Sequence, residues 1–319
     1  VAADRAGLGE RRGDEVSAPG GRGPLSGEDG LARAFERERP RLLRVAYTTT
    51  GCLAEAEDCV QEAWLRLRGL KDPGAVRDLR AWLTTTVGRL ALDALGSARV
   101  RRERYVGTWL PEPLVEHAPD EQDPADRVTL DESVSMALMI VLDELSPAQR
   151  TAFLLHDVFG LPFEEVAGVV GRTPAAVRQL ASRARRHVDG SRPHHPAGYA
   201  RQRELVSAFG QACQEGDLER LVSLLDPEVV WRGDGGGKVT ALHGIVRGAD
   251  NVARGIVALT RVHVPPDGLR LAHVNGAPGL ALYHWDGART IVAITVDGGR
   301  ITSVDAIRNP DKLTHVPDA

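Results

Sequence analysis

The stretch TAFLLHDVFGLPFEEVAGVVGRTPAAVRQLASRARRHV, Thr151 to Val188, decides how this chain is read. Phe163, Val166, Ala167 and Val170 recur at i, i+3, i+4 and i+7, one buried stripe of a short helix opened by Pro162 and ended by Gly171. Thr173 is a good N-cap and Pro174 suits the first helical position, so a second helix is expected from there through Val188. Its apolar face is Val177, Leu180, Ala181, Ala184 and Val188. The opposite side presents Arg178, Gln179, Ser182, Arg183 and Arg186, and no acidic residue interrupts Arg172 to Val188. Two short helices with a donor-rich second one are the pattern of a DNA-reading helix-turn-helix, whose donors reach base edges and phosphates in a major groove about 12 Å wide. Spacing alone also admits a solvated basic helix in a bundle.

With 319 residues the chain is long enough for two or three domains, each with its own core. The net charge of −4 carries no global sign of a nucleic-acid binder. The charge is uneven, however. Arginines gather in Arg99 to Arg104 and Arg172 to Arg186 and acids between Glu112 and Glu132, so local fields differ from the total. Cys52, Cys59 and Cys213 have neither a disulfide framework nor zinc-ligand spacing and read as buried thiols of a reducing compartment. No metal or other cofactor is expected. The N-terminus lacks a signal-peptide core, and the most apolar run, Met136 to Leu142, is too short to span a bilayer. The expected location is the cytoplasm, without a membrane partner.

Residues 1–28, rich in Gly, Ala, Arg and Glu without periodicity, read as a disordered tail. Residues 29–106 form a first all-α module, marked by Leu42, Val45 and Ala46, by Val60, Ala63, Trp64 and Leu67, and by Val87, Leu90, Ala91 and Ala94. Residues 107–124 read as a proline- and acid-rich linker around an apolar island, Trp109-Leu110-Pro111-Glu112-Pro113-Leu114. The second helical module spans 125–192, and 193–199, with Pro193, His194, His195 and Pro196, is another linker. Over 200–319, helical patterns at Glu204 to Gln214 and Asp217 to Leu225 precede strand-like runs at Glu228 to Trp231, Leu269 to Val274, Leu280 to Trp285, Thr290 to Val296 and Ile301 to Ile307. Asp286-Gly287 and Asp297-Gly298-Gly299 suit tight hairpins between the last three. The fold class is therefore multidomain: two all-α modules, then an α+β domain whose sheet curls over a helix and encloses a pocket.

Asp58 to Leu67, Arg80-Ala81-Trp82-Leu83, Leu145 to Arg150 and Val177 to Arg186 together resemble regions 2 and 4 of bacterial extracytoplasmic-function sigma factors, in order and at the right separation. Trp109 to Leu114, Asp234-Gly235-Gly236-Gly237-Lys238 and Asn309-Pro310-Asp311-Lys312-Leu313 resemble the subgroup with a SnoaL-like C-terminal extension. The likeness runs from about Leu31 to Leu313. It implies a region 2 bundle, a region 4 helix-turn-helix and a cone-shaped α+β barrel. The implied partners are promoter DNA and core RNA polymerase, through its β′ clamp and β flap. A small ligand of the C-terminal domain or an anti-sigma partner is left open.

The resemblance places Asp58, Gln61, Glu62, Leu65 and Arg66 on the β′ clamp helices, and the periodicity agrees, since Val60, Ala63, Trp64 and Leu67 take the inward face. It assigns Gly69 to Arg104 to opening and reading the minus-ten element, with Arg80, Arg89, Arg99, Arg101 and Arg102 as the cations for displaced phosphates. The loop Gly69 to Asp78 has no aromatic residue, so base capture falls to other groups or to Trp82, whose helical setting also reads as core. Arg178, Gln179, Ser182, Arg183 and Arg186 are assigned to the minus-thirty-five element. Two modules joined by a linker gain through effective concentration when their spacing fits.

Asp234 to Lys238 is no phosphate loop, because Lys238 is followed by Val239 rather than Ser or Thr. Asp234, His243, His284 and Asp286 are the groups available for acid–base chemistry in the cone, but spacing does not bring them together, and no catalytic residue is expected. The regulatory set is instead Trp109, Leu110, Pro111, Glu112, Pro113 and Leu114 with Asp234, Gly235, Gly236, Gly237 and Lys238. Here the triple glycine is read as a mobile loop, and Asp234 and Lys238 as contacts to the linker or to the sigma core. Two rivals stand beside the sigma-factor reading: a single-chain ligand-sensing DNA-binding regulator that needs no polymerase, and a SnoaL-type small-molecule enzyme with a helical appendage.

Overall fold

The computed structural model describes residues 28–102, 105–117, 134–191, 197–239 and 244–316. The tail expected over 1–28, apart from Glu28, the linker beyond 117, Pro193 to Pro196 and His243 lie outside them.

Helices α1 (Glu28–Thr50), α2 (Leu53–Arg68) and α3 (Leu79–Arg102) pack as a bundle because their apolar stripes meet: Leu42, Val45, Ala46, Val60, Ala63, Leu67, Val87 and Ala91 are all buried. The next module is α4 (Met136–Asp143), α5 (Pro147–Phe153) with a following π turn over Leu154–Val158, α6 (Phe163–Val170) and α7 (Pro174–Ser191). Ser146 and Gln149 form a reciprocal capping box at the start of α5, which accounts for the Leu145 to Arg150 motif. Gly171 ends α6 in the left-handed conformation, φ 68°. Within α6 the fully buried residues are Val166, Ala167 and Val169, while Phe163 and Val170 are half-buried. The shift follows from packing on α3 at Gly88, where an added Cβ would lie 3.2 Å from Val169 Cγ1 and 3.3 Å from Leu155 Cδ1. One apolar core consequently spans both modules, from Leu42, Leu83 and Val87 to Met139, Leu155, Val166, Val177 and Ala181.

The C-terminal domain comprises α8 (Tyr199–Glu215), α9 (Leu218–Leu224), β2 (Leu225–Asp234), β3 (Ile245–Arg247), α10 (Ala249–His263), β4 (Leu269–Val274), β5 (Ala277–Tyr283), β6 (Arg289–Asp297) and β7 (Arg300–Ile307). A strand from the expected linker, β1 (Val115–His117), joins the sheet, whose order is β1-β4-β5-β6-β7-β2-β3. Every neighbouring pair is antiparallel except β2 and β7. Asn275 (φ 51°) and Gly276 (φ 75°) turn β4 into β5 as a primed hairpin requires. Neither β3 nor α10 is anticipated by the sequence reading. The sheet is buried on both sides. Trp231, Leu280, Val292 and Val304 face Phe209 of α8 and Ile256 of α10, while Ala281, Ile291, Ala293 and Ile307 face Leu110 of the linker and Met136 of α4. Two covered faces explain why β6 reads Ile291-Val292-Ala293-Ile294 without polar alternation. Among the described residues, no helix is long and apolar enough to cross a membrane.

Candidate functional site

On α2, Asp58, Gln61, Leu65 and Arg66 are exposed, and Glu62 is half-exposed in an ion pair with Arg66 at 2.9 Å. Leu65 is 50% exposed, an apolar residue amid charges on an otherwise solvated helix face. On α7, Arg178, Gln179, Ser182, Arg183 and Arg186 all point to solvent along one side of the second helix of the helix-turn-helix. Arg178 is held 3.2 Å from Glu164 and over the Phe163 ring at 5.3 Å. Arg185, absent from the sequence prediction, pairs with Asp157 at 2.5 Å.

Of the cations assigned to the minus-ten element, Arg80 and Arg89 are both exposed, but they are engaged differently. Arg80 is exposed near Glu38 at 3.9 Å. Arg89 is turned across the module boundary, donating from Nε (3.1 Å) and Nη2 (2.8 Å) to the Gly168 carbonyl in the last turn of α6, where helix carbonyls lack partners. Arg99, Arg101 and Arg102 fall at the end of α3, where only the backbone is described. Trp82 is half-buried against the shared core. Arg150 is 1% exposed, donates to the Thr48 carbonyl at 2.8 Å and pairs with Asp143 at 3.2 Å, fastening α5 to α1. No signal in the sequence separates this buried arginine from its exposed neighbours.

Between the modules, the segment from Tyr105 to Val115 is held by the C-terminal domain. Asp234, fully buried at the end of β2, accepts from Tyr105 Oη (2.5 Å), the Leu110 amide (2.9 Å), the Gly236 amide (3.1 Å) and Lys312 Nζ (2.6 Å). Lys312 also donates to the Leu110 carbonyl and stands 4.2 Å from the centre of the Trp109 ring, a cation–π contact. Asn309 donates to Tyr105 Oη at 2.8 Å. Farther along, the Glu112 amide donates to Gly51 O (2.9 Å), its carboxylate accepts from the Leu53 amide (2.8 Å), and its carbonyl accepts from Tyr47 Oη (2.6 Å). Asn275, in the β4–β5 turn, bonds both Leu114 and Tyr47, so one residue ties linker, first module and sheet together.

His315 completes the clamp. Its Nε2 bonds the Pro113 carbonyl at 2.7 Å, and its Nδ1 lies 3.1 Å from Glu112 Oε1, close as an ion pair though poorly aligned as a hydrogen bond. Burial opposes ionisation of Glu112, but His315 and the Leu53 amide outweigh it and hold the carboxyl below its ordinary range. The Glu112 carboxylate in turn raises His315 against the cost of its own burial.

The Gly235 to Gly237 segment is a tight turn rather than an open loop. Gly236 (φ 63°) and Gly237 (φ 70°) adopt left-handed backbone, and a Cβ on Gly236 would lie 2.5 Å from Asn309 Nδ2. Lys238 departs from the expectation that it touches the linker or the sigma core. The turn aims it at Asp311, 2.6 Å away, and both are exposed. Tyr47, Tyr105, Asn275, Asn309, Lys312 and His315 were missed by sequence reasoning. For Asn309 and Lys312 the available signal was the Asn309 to Leu313 motif just past the last strand.

The groups considered for acid–base chemistry diverge. Asp234 serves the clamp, Asp286 is exposed in the β5–β6 hairpin, and His284 faces a cavity between the sheet, α8 and α10. Burial, reinforced by Arg308, holds His284 down to about 4, so it is neutral near pH 7. Among the described residues there is no cluster of three or more potential metal ligands. Cys59 and Cys213 are buried, but Cys52, the residue preceding α2, is only half-buried, because it sits outside the helix rather than on its inner face.

Models of sigma-70 region 2 and sigma-70 region 4 match residues 34–101 and 135–188. The chain is 46% identical over 299 residues to the ECF RNA polymerase sigma factor SigJ of Mycobacterium tuberculosis, an alignment covering 89% of this chain and 93% of the relative. It is 36% identical over 297 residues to a probable ECF RNA polymerase sigma factor, SigI, of the same species, covering 91% and 97%. The crystal structure of the M. tuberculosis SigJ protein matches with a TM-score of 0.73 at 43% identity, over 90% of this chain and 100% of that one.

Proposed function

Because the chain belongs to the extracytoplasmic-function sigma factors of RNA polymerase, we propose that its SnoaL-like domain is a latch that holds the two promoter-reading modules closed until polymerase and DNA engage them. The chain binds core RNA polymerase and directs promoter recognition and transcription initiation; it is a transcription factor, not an enzyme. We assign Asp58, Gln61, Glu62, Leu65 and Arg66 to the polymerase face, since they remain accessible in the closed form. Arg178, Gln179, Ser182, Arg183 and Arg186 are assigned to the minus-thirty-five element, divided between bases and phosphates. Arg80 and Arg89 serve the minus-ten element, and Arg89 does so once α3 leaves α6, because its guanidinium now caps Gly168. The work is assigned to the cytoplasm, where promoter DNA and polymerase are.

One observation carries the latch: a fully buried carboxylate, Asp234, grips the segment that joins the modules through both a backbone amide and Tyr105. Two modules that read elements on one duplex need freedom to reach their spacing, and the clamp, together with the shared core at Gly88, withholds it. Run-off transcription with purified core polymerase tests this. The full chain, Asp234→Asn and a chain ending at Ala197 are compared on one promoter. Changed output with unchanged start site is expected for both variants, and equal output from all three refutes the latch.

A further inference from the structure

The cavity between the concave face of the sheet, α8 and α10 has no part in the clamp, yet its wall is unlike an ordinary core. It opens to solvent at its mouth, and its lining is mostly apolar. Ile256, Leu280 and Val292 form its apolar walls, while Trp231, His284 and Arg308 bring polar groups to it. Trp231 is 7% exposed, and its Nε1 is buried with no hydrogen-bond partner. A buried donor left unmatched is unfavourable and marks a place for an acceptor. His284 Nε2 lies 2.7 Å from Thr290 Oγ1, leaving Nδ1 buried and unmatched. Arg308 is 8% exposed and lines the otherwise largely apolar wall with its guanidinium, which also pairs with the exposed Asp286 at 3.5 Å.

We propose that this cavity is a binding site for a small monocarboxylate with a short apolar body, its carboxylate received by Trp231 Nε1, His284 and Arg308 and its hydrocarbon part by Ile256, Leu280 and Val292. The donor set selects the head group: an indole N–H offers no acceptor, a guanidinium repels cations, and a neutral imidazole supplies the third bond. The apolar walls select the body, as in most small-molecule sites. Occupancy is felt at the latch, a consequence that rests on the latch reading. Gly233 and Arg308 line the cavity, and the residues after them, Asp234 and Asn309, hold the linker; the Asp234 carbonyl accepts from the Arg308 and Asn309 amides at 2.8 and 2.9 Å.

Isothermal titration of the full chain with sodium octanoate, without polymerase or DNA, tests the site separately from the latch. Saturable one-to-one binding is expected, weakened about tenfold by Trp231→Phe, which keeps the ring and removes the donor. Methyl octanoate is expected to bind at least tenfold more weakly than octanoate, and Leu280→Trp, which fills the space, to abolish binding. Absence of saturable binding at millimolar octanoate, equal affinity of wild type and Trp231→Phe, or an ester that binds as well as the acid each overturns the proposal. Should Leu280→Trp fail to fold by circular dichroism, the phenylalanine variant and the ester still decide.

Discussion

Replacing Asp234 by alanine takes away the acceptor shared by Tyr105, the Leu110 amide, the Gly236 amide and Lys312. Most of the resulting loss is electrostatic. Lys312 is 12% exposed and Asp234 fully buried, and stripping one partner from a buried ion pair costs about 3–5 kcal/mol. Lys312 keeps its bond to the Leu110 carbonyl and its place over Trp109, so the lower end applies. A loss of about 3 kcal/mol is roughly a 150-fold rise in the fraction of molecules whose linker is open. Native-state hydrogen exchange reads this at two amides that Asp234 does not touch, Glu112, bonded to Gly51, and Leu114, bonded to Asn275. Their protection should fall by about two orders of magnitude, while amides of α10 keep theirs. The double variant Asp234→Ala with Lys312→Met should recover part of the loss, because the largely buried ammonium goes together with its counter-charge. Protection of Glu112 and Leu114 within about threefold of wild type would refute the idea that this carboxylate holds the segment.

Three further outcomes are expected. Gly88→Leu should wedge α3 from α6, since even a single Cβ there meets Val169 at 3.2 Å; small-angle scattering should report a larger radius of gyration, and an unchanged radius would mean the modules are held elsewhere. Leu65→Glu should weaken binding to core polymerase by about 1–3 kcal/mol with little change in melting temperature, because the side chain is half exposed in the free chain. The clamp should also have a pH window. The raised His315 contributes stability fully below its unfolded value near 6.5 and loses it as pH rises through the folded value, whereas the lowered Glu112 contributes above 4.5 and loses it as pH falls through its folded value. Proteolytic nicking within 105–117 should therefore be slowest between those values and rise as pH climbs through the raised value of His315, and His315→Gln should flatten the alkaline limb; a profile identical in wild type and variant counts against it.

Much of the architecture is legible in local pattern. The helix-turn-helix follows from a stripe, a glycine and a capping threonine, each acting over a few residues, and the hairpins follow from Asp-Gly pairs between apolar runs. The strand run of β6 was legible, but that its sheet is covered on both faces, with linker and α4 as the second cover, is shown only by the fold. β1 was hidden because three residues carry no period, and an edge strand is defined by the partner it meets.

The sequence by itself determined the kinds of module and their order, because helical and strand periods and capping are short-range physics, and its motifs carried the likeness to a polymerase-binding family. Only the tertiary structure decided which charges are free and which are fasteners. Arg89, though exposed, and the buried Arg150 close one module onto the other, and Asp234 reaches back across the chain to Tyr105 and Leu110. A charged side chain reads the same in sequence whether water or a buried partner neutralises it, and which of the two does so is settled by packing between segments far apart along the chain.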